Sequence, residues 1–375
     1  MHIDSINTIR FSHDAPYSWD EEGHVHPGEP APREQTITHI AVDGGPDGYA
    51  NGGSTAFNDM ASDLLADEDP LRREYLWERL VMAQSRSGGN NGALAAVDCA
   101  LHDVAGKAAD QPVWKLLGGY RPDVPCYAST MVGDDDPTGL GTATAYADYV
   151  ESLVEAGFPA VKLHSWMPPF DEHPRRQIEM FEAVRDRVGP DIELMVDSHH
   201  YYSRTEAKRI GDALARLDYA WFEEPMNEYS MSSYEWLRNE VDIPIIGPES
   251  AAGRVQTRAE WISRGIADIS RVGVRDVGGL TPAMKIVGCC AAFGVDCEVH
   301  GNGMGNIHLL GAMSIPGKYL EWGLLHPHLD HDTVWYAPHL QNDMEPVDGI
   351  VAMPEGSGLG YEFDWGFIDE HRIDD

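Results

Sequence analysis

From about residue 124, short apolar segments of strand length alternate with segments of helical character, and this alternation limits the possible folds most strongly. Segments as short as these are typical of buried strands, and the helices between them suit crossovers between parallel strands. Eight strand–helix units in succession predict an α/β protein, with a parallel barrel favoured over an open sheet. The eight segments are VPCYAST (124–130), PAVKLH (159–164), IELMVD (192–197), YAWFEE (219–224), IPIIGPE (243–249), DISRV (268–272), VDCEVH (295–300) and KYLE (318–321).

Several of the intervening helices carry start signals. Ser203, Ser232 and Thr257 each precede a glutamate by three residues, which is the spacing of a capping box. We therefore predict that a helix begins at each of these positions.

The residues before the barrel predict a second, smaller unit. Residues 37–45, ITHIAVDGG, alternate and end in a turn signal, as a strand of an antiparallel sheet would. Residues 91–118 predict a long buried helix followed by a shorter one. The segment 14–30 is long, polar and aromatic, and we interpret it as a loop that forms a lid over the substrate.

The charge of the chain is strongly negative, with 27 Lys and Arg against 62 Asp and Glu and a formal net charge of −35. This balance argues against nucleic-acid and anionic-membrane partners, which bind basic surfaces. The acids are spread along the chain rather than gathered in a tail, so we interpret them as a solvated surface adapted to high salt. The five cysteines lack a metal-binding spacing and predict buried, reduced thiols. With no apolar stretch of membrane length or signal-peptide pattern, we expect a cytoplasmic protein.

Three acids end three successive predicted strands: Asp197, Glu223 and Glu249. Consecutive members are 26 residues apart, which is one strand–helix unit. Because barrel enzymes build their sites at the carboxyl ends of the strands, the three side chains should converge. Any one of them could be a helix cap or a solvated charge, but the equal spacing favours a site for a hard cation such as Mg²⁺.

Asp197, FEEP (222–225), GPES (247–250), GGLTP (278–282), VHGNG (299–303) and ALHDVAGKAADQPVWKLLGG (100–119) together resemble the mandelate racemase branch of the enolase superfamily. The resemblance implies a modified (β/α)₈ barrel at 124–330 with an N-terminal α+β capping domain at 1–123. A C-terminal segment, 331–375, would return to the capping domain. It also implies Mg²⁺ held by Asp197, Glu223 and Glu249, and abstraction of the proton α to a carboxylate as the first step.

Two basic residues lie on the second predicted barrel strand. Lys162 and His164 are two apart, so both side chains should face the barrel interior, with Lys162 as a candidate base. The family more often has Lys-x-Lys. His164 could instead contact the substrate carboxylate or share the proton transfer.

His300 ends the seventh strand, where the resemblance implies a His–Asp dyad. Alignment on GGLTP places Gly273 at the usual position of the aspartate, and Asp276 follows three residues later in a predicted loop. Without an orienting carboxylate, His300 would be a weaker base or a hydrogen-bond donor. This departure argues against a racemase that needs a base on each face.

His199, two residues after Asp197, matches a histidine that some sugar-acid dehydratases of the family use to protonate the departing hydroxide. Glu321 matches the family's glutamate at the eighth strand and, if protonated, could donate to the enediolate oxygen. We therefore predict a dehydratase that acts on a small sugar acid. Racemase or epimerase, cycloisomerase and non-catalytic binding functions are alternatives, and the family resemblance implies a homo-oligomer.

Overall fold

The first part of the chain is an antiparallel sheet of three strands, in the order β1 (His2–Trp19), β2 (Val25–Asp43) and β3 (Gly48–Asn51). The strand predicted at 37–45 is confirmed as the end of β2. The computed structural model describes residues 1–19, 25–87, 90–134, 136, 138–164, 166, 170, 173–315, 317–329, 337–341 and 344–373.

The loop predicted at 14–30 is wrong for the described residues. Residues 14–19 and 25–30 belong to the paired strands β1 and β2, while residues 20–24 lie outside the described part of the chain. Alternate residues of β1 are buried here, namely Phe11, His13, Ala15 and Tyr17. This period of two is hard to read from the sequence because histidine and alanine are not clearly apolar signals.

Four helices complete the N-terminal region: α1 (Thr55–Leu65), α2 (Arg73–Ser87), α3 (Asn91–Ala109) and α4 (Val113–Leu116). α3 is buried at every residue from Ala93 to Gly106, so the prediction of a long buried helix followed by a shorter one is confirmed. Asn90 caps α3 by accepting the Ala93 N–H at 2.8 Å.

The eight predicted apolar segments are eight strands of one parallel sheet, and the α/β barrel with its α+β capping domain is confirmed. The strands are β4 (Asp123–Thr130), β5 (Ala160–His164), β6 (Glu193–Asp197), β7 (Trp221–Glu223), β8 (Ile245–Ile246), β9 (Ile269–Val272), β10 (Asp296–Val299) and β11 (Leu320–Leu325). The helices are α5 (Ala143–Glu155), α6 (Pro174–Val188), α7 (Arg204–Arg216), α8 (Met231–Arg238), α9 (Val255–Arg264), α10 (Val274–Val277), α11 (Leu280–Phe293) and α12 (Met304–Ala312).

The strands follow the order β10-β9-β8-β7-β6-β5-β4-β11. The described residues of β10 and β11 have no paired register. A side chain joins this part of the sheet, because the Glu298 carboxylate accepts the N–H groups of Lys318 at 2.7 Å and Tyr319 at 3.4 Å. Between β10 and β11 the link described is therefore a side-chain carboxylate, whereas neighbouring strands elsewhere in the sheet are joined by backbone hydrogen bonds.

Side chains inside the barrel form layers, because residues two apart on a strand face the same side. The lower layer is apolar and aromatic, and it contains Tyr127, Ala160, Met195, Trp221, Ile246 and Tyr319. Lys162, Asp197 and Glu223 lie two residues further along three of these strands. The charged groups thus rest on a closed apolar floor.

Only one of the three predicted capping boxes forms. Ser203 and Glu206 cap α7 reciprocally, as predicted. Ser232 instead falls inside α8, and Thr257 inside α9, where its hydroxyl donates to the Ala252 carbonyl at 2.7 Å. These helices begin one to two residues earlier than the spacing indicated.

The end of the chain returns to the N-terminal sheet. β12 (Ile350–Ala352) pairs antiparallel with β4, and α13 (Trp365–Glu370) places Ile368 against Phe11 and Ile37. The Ser12 N–H donates to the His371 carbonyl at 3.0 Å. The domain boundaries at 123/124 and 330/331, the salt adaptation and the oligomer stay predictions.

The five cysteines are free thiols, of which four are buried and Cys289 is half-buried. Among the described residues, no helix combines the length and the apolar character that a membrane span requires.

Asp98 of α3 caps a barrel helix from the capping domain. Its carboxylate accepts the Thr281 N–H at 2.9 Å and the Thr281 hydroxyl at 2.6 Å, at the start of α11, where Gly279 offers no side chain. Burial raises the pKa of Asp98 to about 6, although the bonds from Thr281 lower it. The contact joins the two units at a carboxyl group that is costly to ionise.

The raised pKa gives a pH-dependent prediction for Asp98→Asn. Folding favours the protonated acid, so this contribution to stability is present below about pH 4 and is lost as the pH rises through about 6. Between pH 4 and 7 the free energy of unfolding of Asp98→Asn should gain roughly 2.5 kcal/mol relative to the wild type. Denaturant unfolding measures this change. Asp212→Asn, an exposed control on α7, should stay within about 0.5 kcal/mol of the wild type at each pH.

Candidate active site at the mouth of the barrel

Asp197, Glu223 and Glu249 converge at the carboxyl ends of their strands, as predicted. Each offers an oxygen, and these oxygens lie within 4.8 Å of one another. Glu223 is fully buried, and Asp197 and Glu249 are only slightly exposed. Three oxygen donors at this separation suit a hard divalent cation.

Lys162 lies among these acids. Its Nζ is 3.0 Å from Asp197 Oδ2, 3.2 Å from Glu223 Oε2 and 2.9 Å from Glu321 Oε1. Burial alone would lower the pKa of Lys162, but the carboxylates, led by Glu223 and Glu321, raise it well above its ordinary value. In the absence of a cation, Lys162 is therefore held as an ammonium.

Arg271, on β9, is a second buried cation that sequence reasoning missed. Its Nε lies 2.6 Å from Glu223 Oε1, and its guanidinium also donates to Glu321 Oε2 at 2.9 Å. Burial opposes the charge, yet Glu223 and its other neighbours raise the pKa of Arg271 well above its usual value. The sequence did contain a signal for this residue, because an arginine is unusual within an apolar strand segment such as DISRV (268–272).

The charge balance of this cluster favours a divalent cation. With all four carboxyl groups ionised (Asp197, Glu223, Glu249 and Glu321), the two fixed cations Lys162 and Arg271 would leave 4 − 2, or two, negative charges, of which His300 beside Glu249 can offset one. Burial, together with Glu223 and Asp197, raises the pKa of Glu249 to about 8, even though His300 and Arg271 lower it. The all-oxygen donor set and the excess charge fit Mg²⁺.

Glu321 is held as a carboxylate rather than as an acid. Although burial would raise its pKa, Lys162 and Arg271 keep the pKa of Glu321 well below its usual range. It also accepts the Gly301 N–H at 2.7 Å. This environment opposes the predicted role of Glu321 as a proton donor to an enediolate.

Glu228 supports the third acid and was also missed. Its buried carboxylate accepts the backbone N–H groups of Glu249 at 2.6 Å, Ser250 at 2.7 Å and Ala251 at 2.6 Å. The strand β8 is only two residues long, so the segment that carries Glu249 depends on this side chain for its shape.

His300 has a carboxylate partner, although Gly273 occupies the usual position of the aspartate. Its Nδ1 lies 2.6 Å from Asp276 Oδ2, and its Nε2 lies 3.1 Å from Glu249 Oε1. The sequence, with Gly273 at the usual position of the aspartate, left open whether Asp276 could take that role, and the structure places Asp276 beside His300. Asp276 belongs to the short helix α10 rather than to a loop, and this turn brings its side chain back to His300.

His164 and His199 lie on either side of Asp197. His164 is buried, with Nε2 3.3 Å from Asp197 Oδ2. His199 follows the strand with φ of 44°, and its side chain is 60% exposed. Its N–H donates to Asp197 Oδ1 at 3.1 Å, and its ring stacks on Trp166 with centroids 5.1 Å apart. Strand β6 ends at Asp197, so the alternation of side chains along the strand does not extend to His199.

Glu224, His199 and His200 form a further group of convergent side chains beside the three acids. His200 Nε2 lies 3.3 Å from Glu224 Oε1, and His199 Nδ1 lies 3.9 Å from Glu224 Oε2. Burial, Glu249 and Glu228 raise the pKa of Glu224 well above its ordinary value. Sequence reasoning selected Glu223, the first glutamate of FEEP, as a metal ligand and assigned no role to Glu224.

Comparison with known proteins shows the same architecture. Residues 145–367 match the family model described as enolase C-terminal domain-like, and residues 38–118 match the mandelate racemase / muconate lactonizing enzyme N-terminal domain. The solved structure of D-glucarate dehydratase from Agrobacterium tumefaciens complexed with magnesium is 41% identical. It aligns over 100% of both chains with a TM-score of 0.95.

Two curated relatives are also similar over most of their length. Arabinonate dehydratase of Saccharolobus solfataricus is 28% identical over 359 residues, which are 91% of each chain. D-Galactarolactone cycloisomerase of Agrobacterium fabrum is 29% identical over 327 residues, 84% of this chain and 83% of its own.

Glu228→Ala tests the support of the segment that carries Glu249. Three backbone N–H groups would lose their acceptor, so the free energy of unfolding should fall by about 2 kcal/mol. Hydrogen–deuterium exchange at residues 249–251 should become faster than in the wild type. Glu240→Ala removes an exposed glutamate and should change neither quantity. Unaltered exchange at 249–251 in Glu228→Ala would contradict the assignment.

Proposed function

Because the chain belongs to the mandelate racemase / muconate lactonizing enzyme family of the enolase superfamily, we propose that it is a Mg²⁺-dependent sugar-acid dehydratase. The reaction removes the proton α to the carboxylate and the hydroxide from the β-carbon, and the resulting enol becomes a 2-keto-3-deoxy acid. The observation that carries the proposal is the convergence of Asp197, Glu223 and Glu249 between two basic side chains, Lys162 and His300.

The names of the relatives support the reaction class. Dehydratases of glucarate and arabinonate align over at least nine-tenths of the chain. The magnesium in the glucarate dehydratase structure supports the choice of cation. We extend these properties to this chain as part of the proposal.

Asp197, Glu223 and Glu249 would hold Mg²⁺ in this protein. When bound, Mg²⁺ supplies positive charge that stabilises the substrate carboxylate and the enediolate. His164 contacts Asp197 and orients the Asp197 carboxylate. It also contributes to binding the substrate carboxylate. Glu228 orients Glu249 through the backbone.

The proton transfers are assigned to groups around the three acids. Lys162 or His300 removes the α-proton. The two side chains would approach the substrate from different sides, because β5 and β10 are well separated in the sheet. Glu321 holds Lys162 and Arg271 in place as an ionised carboxylate. His199, exposed at the rim of the mouth, protonates the departing hydroxide.

An epimerase is the second candidate, and the His300–Asp276 contact favours it. A base competent on each face can remove a proton from one side and return it from the other. The two functions differ in their products, since epimerisation leaves no keto acid.

A substrate screen tests the dehydratase. Purified protein in molar KCl with Mg²⁺ is incubated with aldonic and aldaric acids, and semicarbazide detects 2-keto-3-deoxy products. We expect at least one acid to react, and Lys162→Ala or EDTA to reduce its turnover by at least about 100-fold. Lys208→Ala, which removes a half-buried lysine of α7, should retain wild-type turnover.

The same acids in D₂O separate the alternatives. Exchange of the α-proton without keto product would replace the dehydratase by the epimerase. Product from a sugar-acid lactone but not from the free acids would favour a cycloisomerase. No exchange with any acid would contradict both catalytic proposals.

Asp197→Asn tests the metal assignment. Replacing one anionic oxygen donor should weaken Mg²⁺ binding by at least about 100-fold, because the neutral amide binds a hard cation poorly. Calorimetric titration with MgCl₂ measures the affinity at fixed KCl. Asp212→Asn is the control and should bind Mg²⁺ as the wild type does. Equal affinities in Asp197→Asn and the wild type would refute this assignment.

A further inference from the structure

A cleft of about 540 Å³ lies between the capping domain and the barrel. Helices α2 and α3 of the capping domain contribute residues on one side, and α11 of the barrel contributes residues on the other. None of the described residues that line the cleft belongs to the site at the mouth of the barrel. Its volume suits a small organic molecule rather than a single ion.

The lining of this cleft is positively charged, although the net charge of the chain is −35. Arg72, Arg73 and Lys285 contribute three positive charges at neutral pH. Among the described residues that line the cleft, Glu74 is the one acid. His102 adds no charge, because burial and Arg73 lower its pKa to about 3. The cleft therefore concentrates cations in a chain that has few of them.

Two of these cations are already paired, and Arg73 is not. Lys285 contacts Glu74, and Arg72 lies 3.5 Å from Glu68 Oε2. In the part of the chain that the structure describes, the Arg73 guanidinium forms neither a hydrogen bond nor an ion pair. It is half-buried, and this burial lowers its pKa. Because a guanidinium stays charged in proteins, Arg73 is a partly desolvated cation that an anion in the cleft would stabilise.

Apolar side chains in the cleft favour an anion that carries a carbon skeleton. They belong to Leu71, Leu117, Leu280 and Met284. An inorganic anion would leave this surface in contact with water, whereas the methylene groups of an organic acid would cover it. The guanidinium of Arg73 can bind a carboxylate through two parallel N–H donors. Both features point to a carboxylic acid.

We propose that this cleft is a second binding site, which takes a small organic carboxylate as the counter-ion of Arg73. The ligand would contact α2 and α11 together, so its binding would strengthen the junction that Asp98 and Thr281 already form. Binding needs neither Mg²⁺ nor the residues at the mouth of the barrel. It is therefore independent of the proposed dehydratase and goes beyond it.

Equilibrium dialysis of ¹⁴C-labelled glutarate tests the site, with purified protein in molar KCl that contains EDTA and no Mg²⁺. The high salt screens non-specific attraction, and we expect saturable binding of one glutarate per chain. Glutaramide, the uncharged diamide with the same skeleton, should not displace it, because it offers no carboxylate. Inorganic phosphate should compete at least about tenfold more weakly than unlabelled glutarate, because it has no methylene groups.

Variants of Arg73 place the bound glutarate in the cleft. Arg73→Gln removes the charge and should weaken binding at least about tenfold. Arg73→Lys keeps the charge without the paired donors and should weaken binding about threefold, which also provides a test if Arg73→Gln does not fold. Arg216→Gln, which removes an exposed arginine of α7, should bind as the wild type does. Thermal unfolding without ligand checks that each variant is folded.

The outcomes separate this site from the mouth of the barrel. Weaker binding in the two Arg73 variants, with wild-type binding in Arg216→Gln, supports the proposal. Equal binding in Arg73→Gln and the wild type would place glutarate elsewhere, and it overturns the proposal. Absence of saturable binding, or displacement by phosphate as efficient as by glutarate, overturns it as well.

Gluconate as a competitor distinguishes two sources of the carboxylate. Competition at least equal to that of glutarate assigns the cleft to sugar acids, and weaker competition assigns it to acids with an apolar chain. Because turnover is not measured, failure of the dehydratase screen would leave these results unchanged.

Discussion

The site depends on a balance of buried charge inside the barrel. Lys162 and Arg271 lie among four carboxylates on an apolar floor, and none of these six groups is more than slightly exposed. Such charges are tolerated only when each has a partner, because desolvation of an isolated ion costs several kcal/mol. The geometry of the mouth is consequently rigid in the sense that moving one group leaves another unpaired.

The sequence predicted the features that repeat. Eight apolar segments, a period of two along each strand and a spacing of 26 residues were enough to place Asp197, Glu223 and Glu249 at one edge of the sheet. These predictions succeed because a parallel barrel imposes the same constraint on each unit. Lys162 and His164 were placed by the same rule, and both lie beside Asp197.

What the sequence did not predict depends on local geometry. Asp276 reaches His300 through a four-residue helical turn, and spacing alone cannot show that a side chain three positions late bends back into place. Glu228 acts on the backbone of residues distant in sequence, and Arg271 was hidden in an apolar segment. The paired segments 14–19 and 25–30 were interpreted as a loop because the buried positions of β1 include His13 and Ala15. These are cases where tertiary contacts, not local propensity, determine the outcome.

The contact of Ile368 with Phe11 and Ile37 has a consequence for biosynthesis. Strand β1 acquires part of its apolar cover from α13, more than 350 residues later in the chain. Contacts this distant in sequence slow folding, because a long loop must close before they form. The apolar side chains Phe11 and Ile37 of the N-terminal sheet therefore stay incompletely buried until the barrel and α13 have been synthesised. The many acidic side chains of the chain would help to keep that unfinished state from associating with its neighbours.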